Sequence, residues 1–353
     1  MHNLIVLIAF SWWPAILAVL VFGVTLLTAM YSTYAERKFA AFFQDRLGPN
    51  RAGPFGLLQP LADGVKMFMK EEIIPSVSNR FLFVLGPALF MTTSLMTSAV
   101  IPWTKPFVIA GDTYEMQVAD INIAVLYLLG VVSIGVYGIM IGGWASNNKF
   151  ALLGSLRASS QMISYEVAMG ISVVTLIMLT GTLSTSTIAE QQHGFWDDSG
   201  PTWNVLKNPV TFLIFFICAL AETNRTPFDL PESETELIGG YHTEFSSMKL
   251  GLYLFAEYIN MFVSSAVMAL FFFGGYNFPW MDSVTDPNWL AIIGLVVMFS
   301  KTVFFIFVFM WIRWTIPRFR YDQLMHLGWK ILIPFSLINL VVQGFVMYFM
   351  DKL

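Results

Sequence analysis

Eight stretches of the chain are predominantly apolar and close to the 20 or so residues needed to cross about 30 Å of hydrocarbon. They cover 11–34, 82–101, 120–142, 163–182, 209–221, 250–273, 290–312 and 331–350. The fifth is short and is expected to end in an irregular segment at membrane depth, which is tolerable only inside protein or beside a cavity. Between 55 and 72 the pattern changes. Leu57, Leu58, Leu61, Val65, Phe68 and Met69 alternate with Gln59, Asp63, Lys66 and Lys70 at helical spacing, the mark of an amphipathic helix lying on a membrane surface. Pro49, Gly53, Pro54 and Gly56 punctuate its entry and Pro75 its exit. The apolar run from Leu4 to Tyr34 is too long for a signal-peptide core and lacks a basic start, so it reads as a retained span. The fold class expected is an all-α polytopic membrane protein, a single membrane domain over 1–353. It has about eight transmembrane helices plus a cytoplasmic-surface amphipathic helix at about 55–72.

The charges assign sides to these spans. Loops after spans 1, 3, 5 and 7 hold 15 Lys and Arg, while loops after spans 2, 4 and 6 hold two, Lys105 and Lys207. By the positive-inside rule the odd loops face the cytoplasm or matrix and both termini face the other side.

Composition narrows the class further. Of 353 residues 56% are apolar and 12% charged, about half the ~25% charge of a soluble domain. A soluble fold could not hide that much apolar surface. The one cysteine, Cys218, is too few for an iron–sulfur cluster, which takes about four Cys ligands. His2, His193, His242 and His326 are too scattered to suggest a metal centre. Neither a bound flavin, nor an iron–sulfur cluster, nor a metal is expected in this chain, and no nucleic-acid partner. A redox centre, if the protein serves redox chemistry, would sit in a partner.

Four constellations could carry chemistry. Glu36-Arg37-Lys38 ends the first span, where charges commonly snorkel to the interface. Asp63 and Lys66 on the amphipathic helix could equally form a solvated face. The run from Ala221 to Glu236 places Glu222, Asp229, Glu232, Glu234 and Glu236 around one Arg225 and breaks them with two prolines. Charge runs are usually solvated, but this one continues a span directly, and crowded carboxylates beside low dielectric titrate as a coupled group. Glu166, Glu222, Glu257 and Lys301 lie within or at the edge of spans, where ionisable groups face a bundle interior and mark pathways. The plainer reading there is a structural pair such as Glu257 with Lys301. Arg313 ends span 7 ahead of Arg318 and Arg320, which read more simply as topology anchors.

Four segments make the chain recognisable. They are Ala35-Glu-Arg-Lys38 through Gly48-Pro-Asn-Arg-Ala-Gly-Pro54 and Leu58-Gln-Pro-Leu-Ala-Asp63; Gly143-Trp-Ala-Ser-Asn-Asn-Lys149 through Ser164-Tyr-Glu166; Ala221 through Glu236 and on to Gly240-Tyr-His-Thr-Glu244; and Pro317-Arg-Phe-Arg-Tyr-Asp-Gln-Leu324. With these the chain closely resembles the H-subunit (subunit 1) family of respiratory complex I, the proton-pumping NADH:quinone oxidoreductase. The resemblance implies a membrane subunit that forms much of the quinone chamber, with quinone as substrate and no independent activity. It implies that Arg37, Ala62, Asp63 and Arg313 line the quinone passage. Arg225 and the carboxylates Glu222, Asp229, Glu232, Glu234 and Glu236 match a loop that senses quinone reduction. Glu166, Glu222 and Glu257 match the start of an acidic path to proton-pumping subunits, with Lys301 near it. Implied partners are the peripheral-arm quinone-site and iron–sulfur subunits, the antiporter-like membrane subunits and membrane lipid. The implied location is a bacterial inner (plasma) membrane, with both termini periplasmic. The 183–208 loop is longer than this family usually carries, and its Gln191–Asp198 stretch is expected to meet another subunit.

Two other functions remain open on the sequence. One is the membrane anchor of a related energy-converting hydrogenase-type complex, which the quinone-side motif from Glu36 to Asp63 disfavours. The other is a stand-alone ion or solute transporter, which has less need of the extended cytoplasmic segments at 35–80, 222–249 and 313–330.

Overall fold

The computed structural model describes residues 12–350 except 110–111, 195, 198–199, 232–233, 280, 282–283 and 285. Its elements follow in chain order. α1 (Trp12–Phe43), a 3-10 turn (Pro54–Gly56), α2 (Gln59–Met69) and α3 (Arg80–Thr97) come first. A small hairpin, β1 (Phe107–Ile109) with β2 (Asp112–Tyr114), pairs Phe107 with Tyr114. α4 (Ala124–Ala145), α5 (Lys149–Thr180), α6 (Thr185–Glu190), the short pair β3 (Trp196–Asp197) and β4 (Gly200–Pro201), α7 (Asn204–Lys207) and α8 (Pro209–Glu222) follow. Then come α9 (Glu234–Leu237), α10 (Ser247–Phe272), α11 (Pro287–Thr315), α12 (Tyr321–His326), a π-helical turn (Leu327–Leu332) and α13 (Ile333–Met350).

Among the described residues, seven helical runs are long and apolar enough to cross a membrane, and α8, with 14 residues, is the shorter eighth. Helices are the expected solution, since in lipid every backbone N–H and C=O must be satisfied within the chain. Local signals set their ends. Asn148 accepts from the Phe150 amide at 2.8 Å and Asp286 from the Asn288 amide at 3.0 Å, capping α5 and α11. Gly181, in the left-handed region, closes α5.

α1 is longer than its apolar stretch. At 1.5 Å per residue its 32 residues run about 48 Å, well past ~30 Å of hydrocarbon. No proline or glycine follows Gly23 until Gly48, so the helix continues through Glu36, Arg37 and Lys38.

The most enclosed helix is α10, around which the others gather. α3 and α4 approach closely through glycine: a Cβ on Gly138 would lie 2.8 Å from the Phe90 amide nitrogen. Small residues let membrane helices pack backbone to backbone in this way. The Tyr253 hydroxyl of α10 donates to the Gly138 carbonyl at 3.0 Å and ties the pair to the central helix. Between α8 and α13, Asn339 donates to Thr211 at 2.8 Å and Asn208 to Gln343 at 3.0 Å.

α2 lies at the end of the bundle that carries Arg37 and Arg225. Its apolar side chains Leu61, Val65, Phe68 and Met69 are exposed. It is held through Ser247, which donates to the Met67 carbonyl at 3.0 Å. At the opposite end, residues 183–194 and 200–208 fold back on their own chain. Gln192 donates to the Leu270 carbonyl at 3.0 Å and accepts from the Gly274 amide at 3.1 Å, and Asn204 donates to the Phe271 carbonyl at 2.8 Å. Part of the Gln191–Asp198 stretch, expected to meet a partner, lies outside the described residues.

Candidate functional site

The buried ionisable groups form separate constellations, and the largest centres on Glu36. Its carboxylate, 5% exposed, accepts from Arg225 at 2.9 Å, from the Tyr258 hydroxyl at 2.9 Å and from Arg313. The Arg225 guanidinium lies 4.1 Å from the centre of the Tyr258 ring, a cation–π contact. Three helices and one loop thus converge on one carboxylate. On the sequence Glu36 reads as a snorkelling charge with no assigned role. The signal available was a carboxylate in an otherwise apolar helix, one residue before Arg37.

Beside this hub is a cavity of about 150 Å³ under α2, lined by Arg37, Asp63, Tyr258, Met30, Phe255 and neighbouring residues. In this lining Arg37 donates to Asp63 at 2.6 Å, and Gln59 donates to the other Asp63 oxygen at 3.2 Å. Arg37 also borders a second, more polar cavity of about 450 Å³ with Arg46, Arg51 and Gln59. Tyr258 is the shared wall: its ring lines the first cavity while its hydroxyl reaches Glu36. Of the residues expected along a quinone passage, Arg37 and Asp63 line this cavity, Arg313 does not line it and is linked to its wall only through Glu36 and Tyr258, and Ala62 is exposed on α2.

The acidic segment after α8 is irregular and largely buried over residues 223–231. Gln161 holds it by donating to the Ala221 and Phe228 carbonyls, both at 2.8 Å, and the Phe319 amide donates to Pro227 at 3.1 Å. These bonds satisfy the backbone groups that leaving a helix exposes. Asp229, 4% exposed, accepts from Arg318 at 2.7 Å, and Glu236 accepts from Arg157 at 2.8 Å nearer the surface. Glu232 and the side chain of Glu234 lie outside the described residues. Arg318, an anchor on the sequence reading, is a partner of the buried acidic loop. Next to it, Arg320 holds the Asp322 carboxyl below its usual range by hydrogen bonds of 2.5 and 2.7 Å.

The intramembrane acids are spread around α5, α8 and α10. Glu166 of α5 accepts from Ser133 of α4. Glu222 ends α8, within electrostatic reach of Glu166. Glu257 of α10, 3% exposed, accepts from Tyr241 at 2.9 Å.

Lys301 stands apart. Its ammonium donates to the carbonyls of Phe273, Gly275 and Asn277 at 2.6, 2.8 and 2.7 Å, with the Trp203 ring 5.0 Å away. Phe273 is at the far end of α10 from Glu257, roughly 24 Å along the axis at 1.5 Å per residue. The structure thus pairs Lys301 with a loop and not with Glu257.

A bundle of helices long and apolar enough to cross a membrane, with ion pairs buried at one end, defines a polytopic integral membrane protein. The chain belongs to the NADH dehydrogenase family, whose model matches residues 16–344. It is 63% identical over 330 residues to the first NADH-quinone oxidoreductase H-subunit of Cytophaga hutchinsonii, covering 93% of this chain and 95% of that protein. The NADH-quinone oxidoreductase H-subunit of Flavobacterium johnsoniae is 60% identical over 341 residues, covering 96% of each chain. NADH-quinone oxidoreductase subunit 8 of Rhodothermus marinus is 48% identical over 338 residues, 94% of this chain and 96% of that one.

Proposed function

We propose that this chain is a membrane subunit of a proton-translocating NADH:quinone oxidoreductase. In this reading it forms much of the quinone chamber and the start of the path that couples quinone reduction to proton pumping. The observation that carries it is the cavity of about 150 Å³ lined by Arg37, Asp63 and Tyr258, joined through the Tyr258 hydroxyl to Glu36, Arg225 and Arg313. That volume is below the ~300–1,000 Å³ of a complete small-molecule site, as suits one wall of a chamber closed by neighbouring subunits. Quinone is the substrate. Electrons reach it from an iron–sulfur cluster in a peripheral partner, and this chain supplies position and charge.

The chemistry follows from the layout. Reduction to quinol takes up two electrons and two protons, and negative charge appears on the headgroup oxygens before protonation. Arg37, in the cavity lining and held by Asp63, is the donor offered to such an oxygen. Charge arriving in the cavity acts through Tyr258 on the Glu36–Arg225 pair at low dielectric, where Coulomb interactions are strong. Arg225 belongs to the same loop as Asp229, so a shift of this pair is felt in the Asp229–Arg318 pair. Glu222, at the head of that loop, passes the change to Glu166 and Glu257. Lys301 fastens the far end of the bundle. The location proposed is a bacterial plasma membrane with both termini periplasmic, beside antiporter-like subunits.

The deciding experiment compares membranes with and without this chain. NADH oxidation is recorded with a quinone acceptor and separately with a water-soluble artificial acceptor. Loss of the quinone-linked rate with survival of an artificial-acceptor rate is expected. Unchanged quinone-linked, inhibitor-sensitive activity would overturn the assignment.

A further inference from the structure

α1 and α11 meet at one end and part at the other. Where they meet, Arg313 donates to Glu36, and the rings of Phe39 and Phe307 pack edge to face with centres 5.0 Å apart. Where they part, the β1–β2 hairpin and its flanks are bonded to both helices. The Trp13 indole of α1 donates to the Glu115 carbonyl at 2.8 Å. On the α11 side, Asn288 accepts from the Val108 amide and donates to the Val108 carbonyl, both at 2.9 Å, and the Thr104 hydroxyl donates to the Ala291 carbonyl. The hairpin acts as a spacer. Between the helices is a groove of about 610 Å³, a size typical of a complete small-molecule site, ~300–1,000 Å³.

The groove is apolar and lies at acyl-chain depth. It runs from Leu17 to Val24 on α1 and from Leu295 to Val303 on α11, with Trp103 and Met116 completing its lining. Ser300 brings a hydroxyl but donates it to the Val296 carbonyl of its own helix at 2.7 Å. Trp12 and Trp289 are exposed at the hairpin ends of α1 and α11, as aromatic residues are at the level of lipid headgroups. Counted from them at 1.5 Å per residue, the groove lies roughly 8–18 Å deep on α1 and roughly 9–21 Å deep on α11. That depth falls within the ~30 Å of hydrocarbon. A spanning helix of another subunit needs contact over that whole thickness, and the groove offers about a third of it. A slender, flexible chain fits its length.

The charges beside the groove select the head of such a chain. Lys105 is two residues past Trp103, and Glu115 immediately precedes Met116. Neither side chain is ion-paired among the described residues. The other charges of this rim are Asp112 on β2 and Asp286, which caps α11. One cation among three carboxylates repels a headgroup of net negative charge. It suits a head that carries a phosphate and an ammonium together.

We propose that this groove holds an acyl chain of a phosphatidylethanolamine, with Lys105 meeting the phosphate and Glu115 the ammonium. The chain fills the gap that the hairpin keeps between α1 and α11, where a void would deprive both walls of dispersion contacts. The site is separate from the cavity under α2 and does not depend on what that cavity binds.

The test uses the whole complex in its own membranes and a phosphatidylethanolamine probe with a diazirine in its acyl chain. After illumination the labelled peptides are mapped by mass spectrometry. Labelling is expected to be denser at 17–24 and 295–303 than on the exposed side of α13, around Val341 and Phe345, which serves as the reference for bulk lipid. Leu20→Trp and Val296→Trp fill the groove from opposite walls, and each is expected to lower groove labelling about tenfold with α13 labelling and complex abundance unchanged. Lys105→Gln is expected to lower it several-fold. Groove labelling no denser than that of α13, or undiminished in an assembled tryptophan variant, would overturn the site. A phosphatidylglycerol probe labelling the groove as densely, or a Lys105→Gln complex labelled like wild type, would overturn the assignment of the headgroup.

Discussion

Glu36 and Arg225 are 189 residues apart in sequence, yet meet at 2.9 Å with both side chains 6% exposed. The pair closes α1 against the acidic segment, and Tyr258 and Arg313 complete the carboxylate's coordination. Removing one partner of a buried pair costs about 3–5 kcal/mol where the other charge is left uncompensated; here Arg313 stays on Glu36 and keeps the cost below that range. Arg225→Met is therefore expected to lower the amount of intact complex and its denaturation midpoint. Arg225→Lys keeps the charge but loses the planar stack over Tyr258 and should fall between. Equal abundance of all three on a native gel would remove the pair from the stability of the fold.

Arg37 behaves oppositely. Its pair with Asp63 is partly solvated, at 52% and 26% side-chain exposure, and such pairs stabilise by only about 0–1 kcal/mol. Arg37→Ala is expected to leave complex abundance unchanged. If Arg37 donates to a reduced quinone oxygen, the lost bond is worth about 1.5–3 kcal/mol, or roughly 10- to 100-fold. The measurement is the KM for a soluble quinone, and a wild-type KM would separate Arg37 from the substrate.

The helices were legible because hydrophobicity over 20 residues is a local property. What composition could not convey was where α1 would stop, since Glu36, Arg37 and Lys38 carry no helix-breaking signal and Gly48 comes later. The Glu36 hub was not legible for a different reason. Its partners come from residues 225, 258 and 313, and only the closed bundle brings them to one carboxylate. The amphipathic pattern at 55–72 folds as a shorter helix, Gln59–Met69, because Pro54 and Gly56 make a separate turn. A Cβ on Gly56 would lie 2.2 Å from the Pro49 carbonyl oxygen, so only glycine fits that turn.

Asp229 tests the acidic segment. Its carboxylate is buried and answered by Arg318 at 2.7 Å. Asp229→Asn keeps the shape but removes the charge, so Arg318 loses its ion partner. Quinone-linked turnover and pumping are expected to fall together several-fold, about the effect of 1–2 kcal/mol. Glu190→Gln, exposed at the opposite end of the bundle, should match wild type. Equal effects of the two, after correction for complex abundance, would undo the assignment of the segment.

Lys301, grouped on the sequence with the residues of the acidic path, is held by backbone carbonyls, and its expected task is structural. All three of its N–H groups go to the carbonyls of Phe273, Gly275 and Asn277, which turn the chain beyond α10. Lys301→Met keeps the length of the side chain and removes all three bonds. Each buried carbonyl left without a partner costs about 1–3 kcal/mol, so the far end of α10 should loosen. The expected outcome is a lower denaturation midpoint and less assembled complex, with turnover per assembled complex unchanged. Glu257 is roughly 24 Å back along the helix, so Glu257→Gln should give the reverse pattern: near-normal assembly and impaired pumping. A Lys301→Met complex that assembles fully but fails to pump would place Lys301 back on the proton path.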